Sequence, residues 1–152
     1  MNNYVDVDTH TSKADEEVCL AIFRSIMRCN HNLLKVGATV AAEYGLHLAE
    51  MNVIDMLGIH GPLKMGELSE VTFISPSNTT HTVKKLETNK YVKRKPSPDS
   101  KRAVTVCLTA KGEKIFRQSY PAILQITKKL FAENLNAAER RQVIGLLQKL
   151  IP

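Results

Sequence analysis

The chain has 152 residues, of which 43% are hydrophobic and 24% charged, with a formal net charge of +6. This composition predicts one globular domain with a real hydrophobic core and excludes a largely disordered chain. Because no apolar run approaches the roughly 20 residues that cross a bilayer, and the start is polar, we expect no membrane anchor, no secretory signal and a cytoplasmic location.

Cysteine spacing and catalytic motifs exclude further kinds of protein. Cys19, Cys29 and Cys107 are too few and too scattered for a disulfide framework, and no CxxC pair or close Cys/His spacing indicates a zinc site. The chain also lacks a GxSxG motif, an HExxH motif and a phosphate-binding glycine loop. We therefore expect no enzyme, no cofactor and no bound metal.

Residues 1–12 lack periodicity and predict a loose arm, whereas residues 13–44 predict one long helix. Apolar residues recur there at spacings of three and four: Val18, Ile22, Ile26, Cys29, Leu33, Val36 and Val40. Phe23, Met27 and Leu34 widen this stripe, which favours a helix that contacts both its own subunit and a second chain. An ordinary core helix explains the stripe equally well.

The next segments predict a supporting helix and the first helix of a pair. Gly45 ends the long helix, and apolar residues from Leu48 to Leu57 predict a second helix that stops at the turn 58–62. Residues 63–72 predict a third helix with Leu68 inward. Phe73 and Ile74 then form a turn that contains no glycine.

A fourth helix has a strong start signal at Ser75 and Pro76. The serine hydroxyl accepts a hydrogen bond from a free N–H group of the first turn, and proline fits the first helical position. Thr79, Val83 and Leu86 then fall on one face at spacings of four and three. The other face is polar and basic.

After Asn89 the period changes to two, which predicts a two-stranded hairpin, or wing. Val104, Val106 and Leu108 lie on one side of a strand, and residues 91–95 supply its partner across the tip 96–103. Residues 84–117 carry eleven Lys or Arg against three acids. Beside a helix pair and a wing, this charge favours a reader of duplex DNA over a merely solvated basic face.

The C-terminal third predicts two more helices. Thr109 caps a helix that Pro121 is expected to bend or break, and Asn136 with Glu139 forms a capping box before a last helix that stays apolar to its end. Wide apolar faces near both termini predict a homodimer joined through those ends.

These elements resemble the MarR family of bacterial winged helix-turn-helix regulators. Three signatures carry the resemblance: GELSEVTFISPSNTTHTVKKLETNKYVKRK, a wing tip with Asp99 and Arg102, and AVTVCLTAKGEKI at the next helix. The resemblance covers residues 13–151. It implies a mostly α-helical fold with a small β-hairpin wing and long N- and C-terminal dimerisation helices, in a cytoplasmic, nucleoid-associated protein of a bacterium or archaeon.

The resemblance also implies a dimer on a palindromic operator, with helix 75–89 in the major groove and Arg102 in the minor groove. The wing tip has one residue more between Asp99 and Arg102 than is usual, so Lys101 is a second candidate. Asn suits adenine, and Lys suits phosphate or guanine. The predicted DNA-binding residues are Ser75, Ser77, Asn78, Thr80, His81, Lys84, Lys85, Arg94, Lys101 and Arg102.

Family members are often released from DNA by a small aromatic or anionic effector. By position, the resemblance implies an effector site lined by Met27, His31, Leu34, Ala38 and Met51. Cys19 lies where peroxide-sensing members keep a reactive cysteine, although neighbouring Glu16 and Glu17 oppose thiolate formation and a small buried hydrophobe is the simpler interpretation. Cys29 is expected in the core and Cys107 partly exposed.

The predicted organisation is an N-terminal arm and dimerisation helix (1–44), a DNA-binding winged helix-turn-helix (45–109) and C-terminal dimerisation helices (110–152). The predicted function is a dimeric, sequence-specific transcriptional regulator, a repressor released by a small-molecule or oxidant signal. Two alternatives stay open. One is a winged-helix module that binds another protein without sequence-specific DNA binding, and the other is direct metal sensing by histidines and Cys29.

Overall fold

The computed structural model describes residues 12–97 and 100–151, apart from the side chains of 97 and 100–103. The described chain is mostly helical with one small antiparallel sheet, as the sequence predicts. Its elements in chain order are α1 (Lys13–Glu43), α2 (Leu48–His60), β1 (Leu63–Lys64), α3 (Met65–Thr72), α4 (Pro76–Thr88), β2 (Val92–Ser97), β3 (Ser100–Leu108), α5 (Ala110–Thr127), a π-helical turn (Lys128–Ala132) and α6 (Ala137–Gln148).

The chain divides into two compact units, one up to Val36 and one from Gly37 onward. In the first unit, the described residues of α1 are all exposed, including the apolar stripe that the sequence predicts. Ile22 is 51% exposed, Phe23 61% and Met27 52%. Helical periodicity therefore predicts this element correctly, while its apolar side has no cover within the unit.

The core of the second unit lies between α2, α3, α4 and the sheet. Because α2 is apolar on nearly all sides, it serves as the central element, and Val53 and Ile54 are fully buried. Leu68 of α3 and Val83 and Leu86 of α4 complete the centre of this cluster. Burying side chains of this size contributes roughly 1.5–3 kcal/mol each, so the core fixes α4 on α2 firmly.

The sheet has three strands in the order β1-β3-β2, all antiparallel. This corrects the sequence analysis, which placed Leu63 and Lys64 in a helix and predicted a two-stranded hairpin. The pairs Leu63–Val106 and Lys64–Thr105 join β1 to β3 across more than forty residues of sequence. A two-residue strand has too short a pattern to be recognised, because only the distant partner makes it a strand.

The caps predicted for the C-terminal helices are confirmed. Gly112 N donates to Thr109 Oγ1 at 3.2 Å, and the Asn136 side chain accepts from Glu139 N while Glu139 Oε2 accepts from Asn136 N. Of the two outcomes predicted at Pro121, a break is wrong, since α5 runs continuously to Thr127, and a bend stays a prediction. Proline removes one amide donor, and the rest of the hydrogen-bond ladder continues past it.

Two predictions about thiols are also wrong. Cys107 was expected to be partly exposed, but it is 7% exposed, and its Sγ lies 3.6 Å from the carbonyl oxygen of Lys93 on the paired strand. Cys29 was expected in the core, but it is exposed on α1, as is Cys19. The sequence predicts correctly that Cys19 and Cys29 lie on a helix. Nothing within the first unit covers either thiol.

Candidate nucleic-acid interface

Helix α4 begins where the sequence predicts, with Ser75 as its N-cap. Ser75 Oγ accepts from Asn78 N at 3.5 Å, and Pro76 occupies the first helical position. Thr79 Oγ1 donates to the carbonyl oxygen of Ser75 at 3.0 Å, which fastens the first turn to the preceding loop. The start of the helix is therefore fixed by local hydrogen bonds.

The two faces of α4 differ completely in burial. Thr79, Val83 and Leu86 are 0% exposed, and Thr82 is also buried. Those predicted DNA-binding residues that belong to α4 lie on its exposed side: Ser77, Asn78, Thr80, His81, Lys84 and Lys85. The first turn of α4 contains no acidic residue. The exposed face thus offers hydroxyl, amide, imidazole and ammonium groups to a partner outside the chain.

Ion pairs divide the cations of this surface into two kinds. Lys85 Nζ lies 3.2 Å from Glu50 Oε1 of α2, and Arg94 Nε lies 3.4 Å from Glu87 Oε2 of α4. Lys84 has no acidic partner within 4 Å among the described residues. Lys84 is therefore available to an external anion, whereas Lys85 and Arg94 already balance carboxylates of their own chain.

Glu50 is a residue of this region that the sequence analysis missed. Its side chain is 5% exposed, and Oε2 accepts from His47 N at 2.8 Å while Oε1 faces Lys85. The carboxylate therefore caps α2 and anchors α4 at once. An acid three residues after the start of α2 suggests the cap, but no sequence signal indicates a partner 35 positions away.

The wing strand β2 presents alternate residues to two different surroundings. Arg94 faces Glu87 of α4, and Lys93 and Lys95 line a cleft of about 530 Å³. Leu57, Gly58 and Pro62 near the end of α2, Cys107 and Leu108 of β3, and Glu113, Phe116 and Arg117 of α5 form other parts of its lining. Lys101 and Arg102 belong to β3 by their backbone, but their side chains lie outside the described residues.

The residues predicted for an effector site differ in accessibility. Met27, His31, Leu34 and Ala38 are exposed on α1, whereas Met51 is 2% exposed within the core of the second unit. The structure therefore places Met51 among packed side chains. Among the described residues, no group of three or more His, Cys, Asp or Glu side chains is arranged to hold a metal ion.

The segment 89–91, which directly follows α4, is tied closely to the start of α5. Thr109 Oγ1 donates to the carbonyl oxygen of Lys90, and Lys111 Nζ lies 4.1 Å from the centre of the Tyr91 ring. Gly112 is required here, because a Cβ at this position would lie 2.1 Å from the carbonyl oxygen of Tyr91. Close backbone contact of this kind leaves the two helices little freedom to separate.

Asp55 of α2 is the one described group whose pKa is clearly displaced. It is 7% exposed, and Oδ1 has no hydrogen-bond partner among the described residues. Burial raises the pKa of its carboxyl to about 7.

In the part of the chain that the structure describes, no helix is long and apolar enough to cross a membrane.

Comparison with known proteins points to one family. Residues 44–103 match the family model described as the MarR family. The HTH-type transcriptional regulator YkoM of Bacillus subtilis is 28% identical over 137 residues, which cover 89% of this chain and 88% of that protein. The region that matches the family model contains α2, the helix pair and most of the wing.

Two solved structures show the same fold. A MarR variant from E. coli complexed with operator DNA has a TM-score of 0.76 at 24% identity, covering 93% of this chain and all of the other. The Bordetella bronchiseptica protein BpsR, whose DNA binding is regulated by 6-hydroxynicotinic acid, has a TM-score of 0.74 at 23% identity. That match covers 87% of this chain and 99% of the other.

Proposed function

We propose that the chain is a member of the MarR family of transcriptional regulators, as its sequence predicts, and that it is a homodimer that binds a palindromic operator in duplex DNA. Helix α4 lies in the major groove, and the wing reaches the adjacent minor groove through Lys101 and Arg102. The protein regulates transcription in the cytoplasm without catalysing a reaction. Its similarity to a transcriptional regulator and to a MarR variant complexed with operator DNA supports this assignment.

The exposed face of α4 is the single observation that carries the proposal. Its apolar side is fully buried, so the helix is held rigidly, while Ser77, Asn78, Thr80 and His81 point away from the core. Short hydrogen-bonding side chains at the start of such a helix fit base edges and phosphates. Lys84 adds a cation without an acidic partner among the described residues.

The proposed dimer explains the apolar surfaces at both ends of the chain. The exposed stripe of α1 is one, and α6 offers another through Val143, Ile144 and Leu147. These three residues line an apolar groove of about 280 Å³ with Phe131 and Leu135. A two-fold dimer covers such surfaces and presents two copies of α4 to successive half-sites.

Adjacent lysines provide a matched test of the interface. We expect Lys84→Ala to weaken operator binding by about 3–10-fold and to lower the slope of log affinity against log salt by about one, because one phosphate contact is lost. Lys85→Ala should instead lower the melting temperature by about 3 °C, since Glu50 is left buried without its counterion. Binding is measured on duplexes selected from a random pool.

If the protein binds selected duplexes no better than random ones at physiological salt, the alternative of a protein-binding module replaces this proposal. Arg102→Ala serves as the wing test, and we expect it to weaken operator binding by about tenfold. Equal effects of the Lys84 and Lys85 variants on DNA affinity would contradict the separate roles assigned to them.

We further propose that a small aromatic or anionic effector releases the operator, by analogy with the regulation of BpsR by 6-hydroxynicotinic acid. Met27, His31, Leu34 and Ala38 remain the predicted contacts, and Met51 would act only from within the core. Cys19 is the predicted site of any oxidant signal because its thiol is accessible. If a Cys19→Ser variant still loses DNA under peroxide, Cys19 is not that site.

A further inference from the structure

Phe73, in the turn between α3 and α4, combines two unfavourable features. Its side chain is 95% exposed, more than any other large hydrophobic residue of the described chain. Its backbone lies in the left-handed region at φ 55° and ψ 29°, which disfavours every residue with a Cβ atom. Glycine at this position would relieve the strain and remove an apolar ring from water. The packing of the chain itself therefore gives no reason for phenylalanine here.

Hydrogen bonds hold the backbone on both sides of Phe73. Asn52 Nδ2 of α2 donates to the carbonyl oxygen of Thr72 at 3.0 Å, and Thr79 Oγ1 of α4 lies 3.3 Å from the carbonyl oxygen of Ile74. The strained conformation is thus imposed by two neighbouring helices. The ring stands on a rigid turn, and little conformational entropy is lost when a partner contacts it.

The position of the ring points to the partner. Phe73 lies two residues before the N-cap of α4, in the turn that leads into the exposed residues Ser77 and Asn78. When the start of a recognition helix meets base edges, the turn before it lies at the edge of the major groove. The apolar groups there are the C5-methyl of thymine and the carbons of deoxyribose.

We propose that Phe73 is a DNA-contacting residue whose ring packs against these apolar atoms at the edge of the major groove. The inference rests on the proposed DNA-binding function and adds to it a contact that polar residues of α4 do not supply. A duplex is the partner because Phe73 shortly precedes the acid-free start of α4, the helix whose exposed face carries Lys84. Phe73 therefore lowers the stability of the protomer and raises its affinity for DNA.

Three variants separate this role from a structural one. Phe73→Gly removes both the ring and the strain, Phe73→Ala removes the ring but keeps the strained Cβ, and Phe73→Tyr keeps both. We expect the Gly and Ala variants to bind the selected operator about tenfold more weakly with an unchanged salt slope, because the lost contact is apolar. Only Phe73→Gly should melt higher than wild type, by about 2–3 °C.

Replacing operator thymines by uracil identifies the apolar group. If one thymine methyl per half-site is contacted, uracil there weakens wild-type binding and leaves the Phe73→Gly variant unaffected. If no thymine position has this effect while the Gly and Ala variants still bind weakly, the ring contacts deoxyribose carbons. Either result supports the proposal.

Several results would overturn it. The first is operator binding by the Gly and Ala variants within twofold of wild type. A second is a Phe73→Gly variant that fails to regulate in cells although its purified form keeps full operator affinity, which would assign the ring to a protein partner. A melting temperature for Phe73→Ala several degrees below that of wild type would mean that the ring packs in its own chain. Failure of wild-type protein to select any operator would instead remove the proposed function.

Discussion

Helices α1 and α4 are both amphipathic, yet only α4 finds cover for its apolar side within its own unit. Val83 and Leu86 of α4 are fully buried, whereas Ile22 and Phe23 of α1 are 51% and 61% exposed. Both stripes follow the same spacing of three and four. Periodicity therefore predicts that a face will be covered but does not reveal what covers it.

The difference also separates two kinds of stability. The second unit contains a buried cluster around α2, so its core is complete in one chain. An uncovered stripe of large apolar residues stabilises the protein only when a partner removes the stripe from water. The buried cluster around α2 should therefore form without a second chain, whereas order in α1 should depend on protein concentration.

The largest expected effect comes from placing charge on the uncovered stripe. Ile22→Asp together with Ile26→Asp should raise the dissociation constant of the dimer at least 1,000-fold, equivalent to about 4 kcal/mol, because charges enter an apolar interface. Analytical ultracentrifugation measures the change. Arg28→Asp places a carboxylate on the polar side of α1 and is the control that should leave dimerisation intact. An unchanged dissociation constant in the double variant would place the dimer interface elsewhere.

Substitution of Asp55 tests how completely its carboxyl is shielded from water in the second unit. Since burial raises the pKa of this carboxyl to about 7, the folded state favours its protonated form. The contribution of Asp55 to stability is therefore most favourable below about pH 4, falls as pH rises from about 4 to about 7, and stays low above. Asp55→Asn should raise the free energy of unfolding by up to about 4 kcal/mol above pH 7, with the gain vanishing near pH 4.

Urea unfolding near pH 4 and near pH 8 measures this effect. The exposed Glu133 provides the control, because Glu133→Gln removes a carboxylate without removing a buried one. An Asp55→Asn gain of equal size at both pH values would show that the carboxyl is not desolvated in the folded protein.

Two helical glycines give the smallest expected effects and opposite signs. Gly112→Ala should destabilise the protein by about 1–3 kcal/mol, because its Cβ would overlap the carbonyl oxygen of Tyr91. Gly66→Ala, in α3, meets nothing within 4 Å and should stabilise by about 0.5–1 kcal/mol. Thermal unfolding of both variants compares a covered position with an open one. Equal shifts in one direction would contradict the close contact between α4 and α5.

Features that depend on neighbours in sequence could be predicted well. Ser75 and Pro76 mark the start of α4, Thr109 marks the start of α5, and Asn136 with Glu139 opens α6, since each cap joins atoms three residues apart. The family resemblance and the mostly helical, winged fold are also confirmed. Both could be predicted because their signatures lie within continuous stretches of sequence.

Features that depend on distant pairing could not be predicted. The strand at Leu63 and Lys64 exists only through β3, and the burial of Cys107 depends on what covers the sheet. Charge counting predicted a basic surface but could not reveal that Lys85 is paired with Glu50, which lies on another helix. The residues of α4 that were predicted to contact DNA are exposed, and their contact with DNA stays a prediction. The division of the basic residues into paired and unpaired cations could be seen only in the structure.

The tight junction between α4 and α5 has a consequence for the operator. Because Thr109 and Gly112 fix the start of α5 to the end of α4, α5 acts as a rigid spacer whose displacement moves the recognition helix with it. In the proposed dimer, the distance between the two half-sites, about 34–36 Å for one turn of DNA, is then set by the C-terminal helices. Any signal that tilts α5 would change that distance and release DNA without altering the recognition surface of either α4 helix.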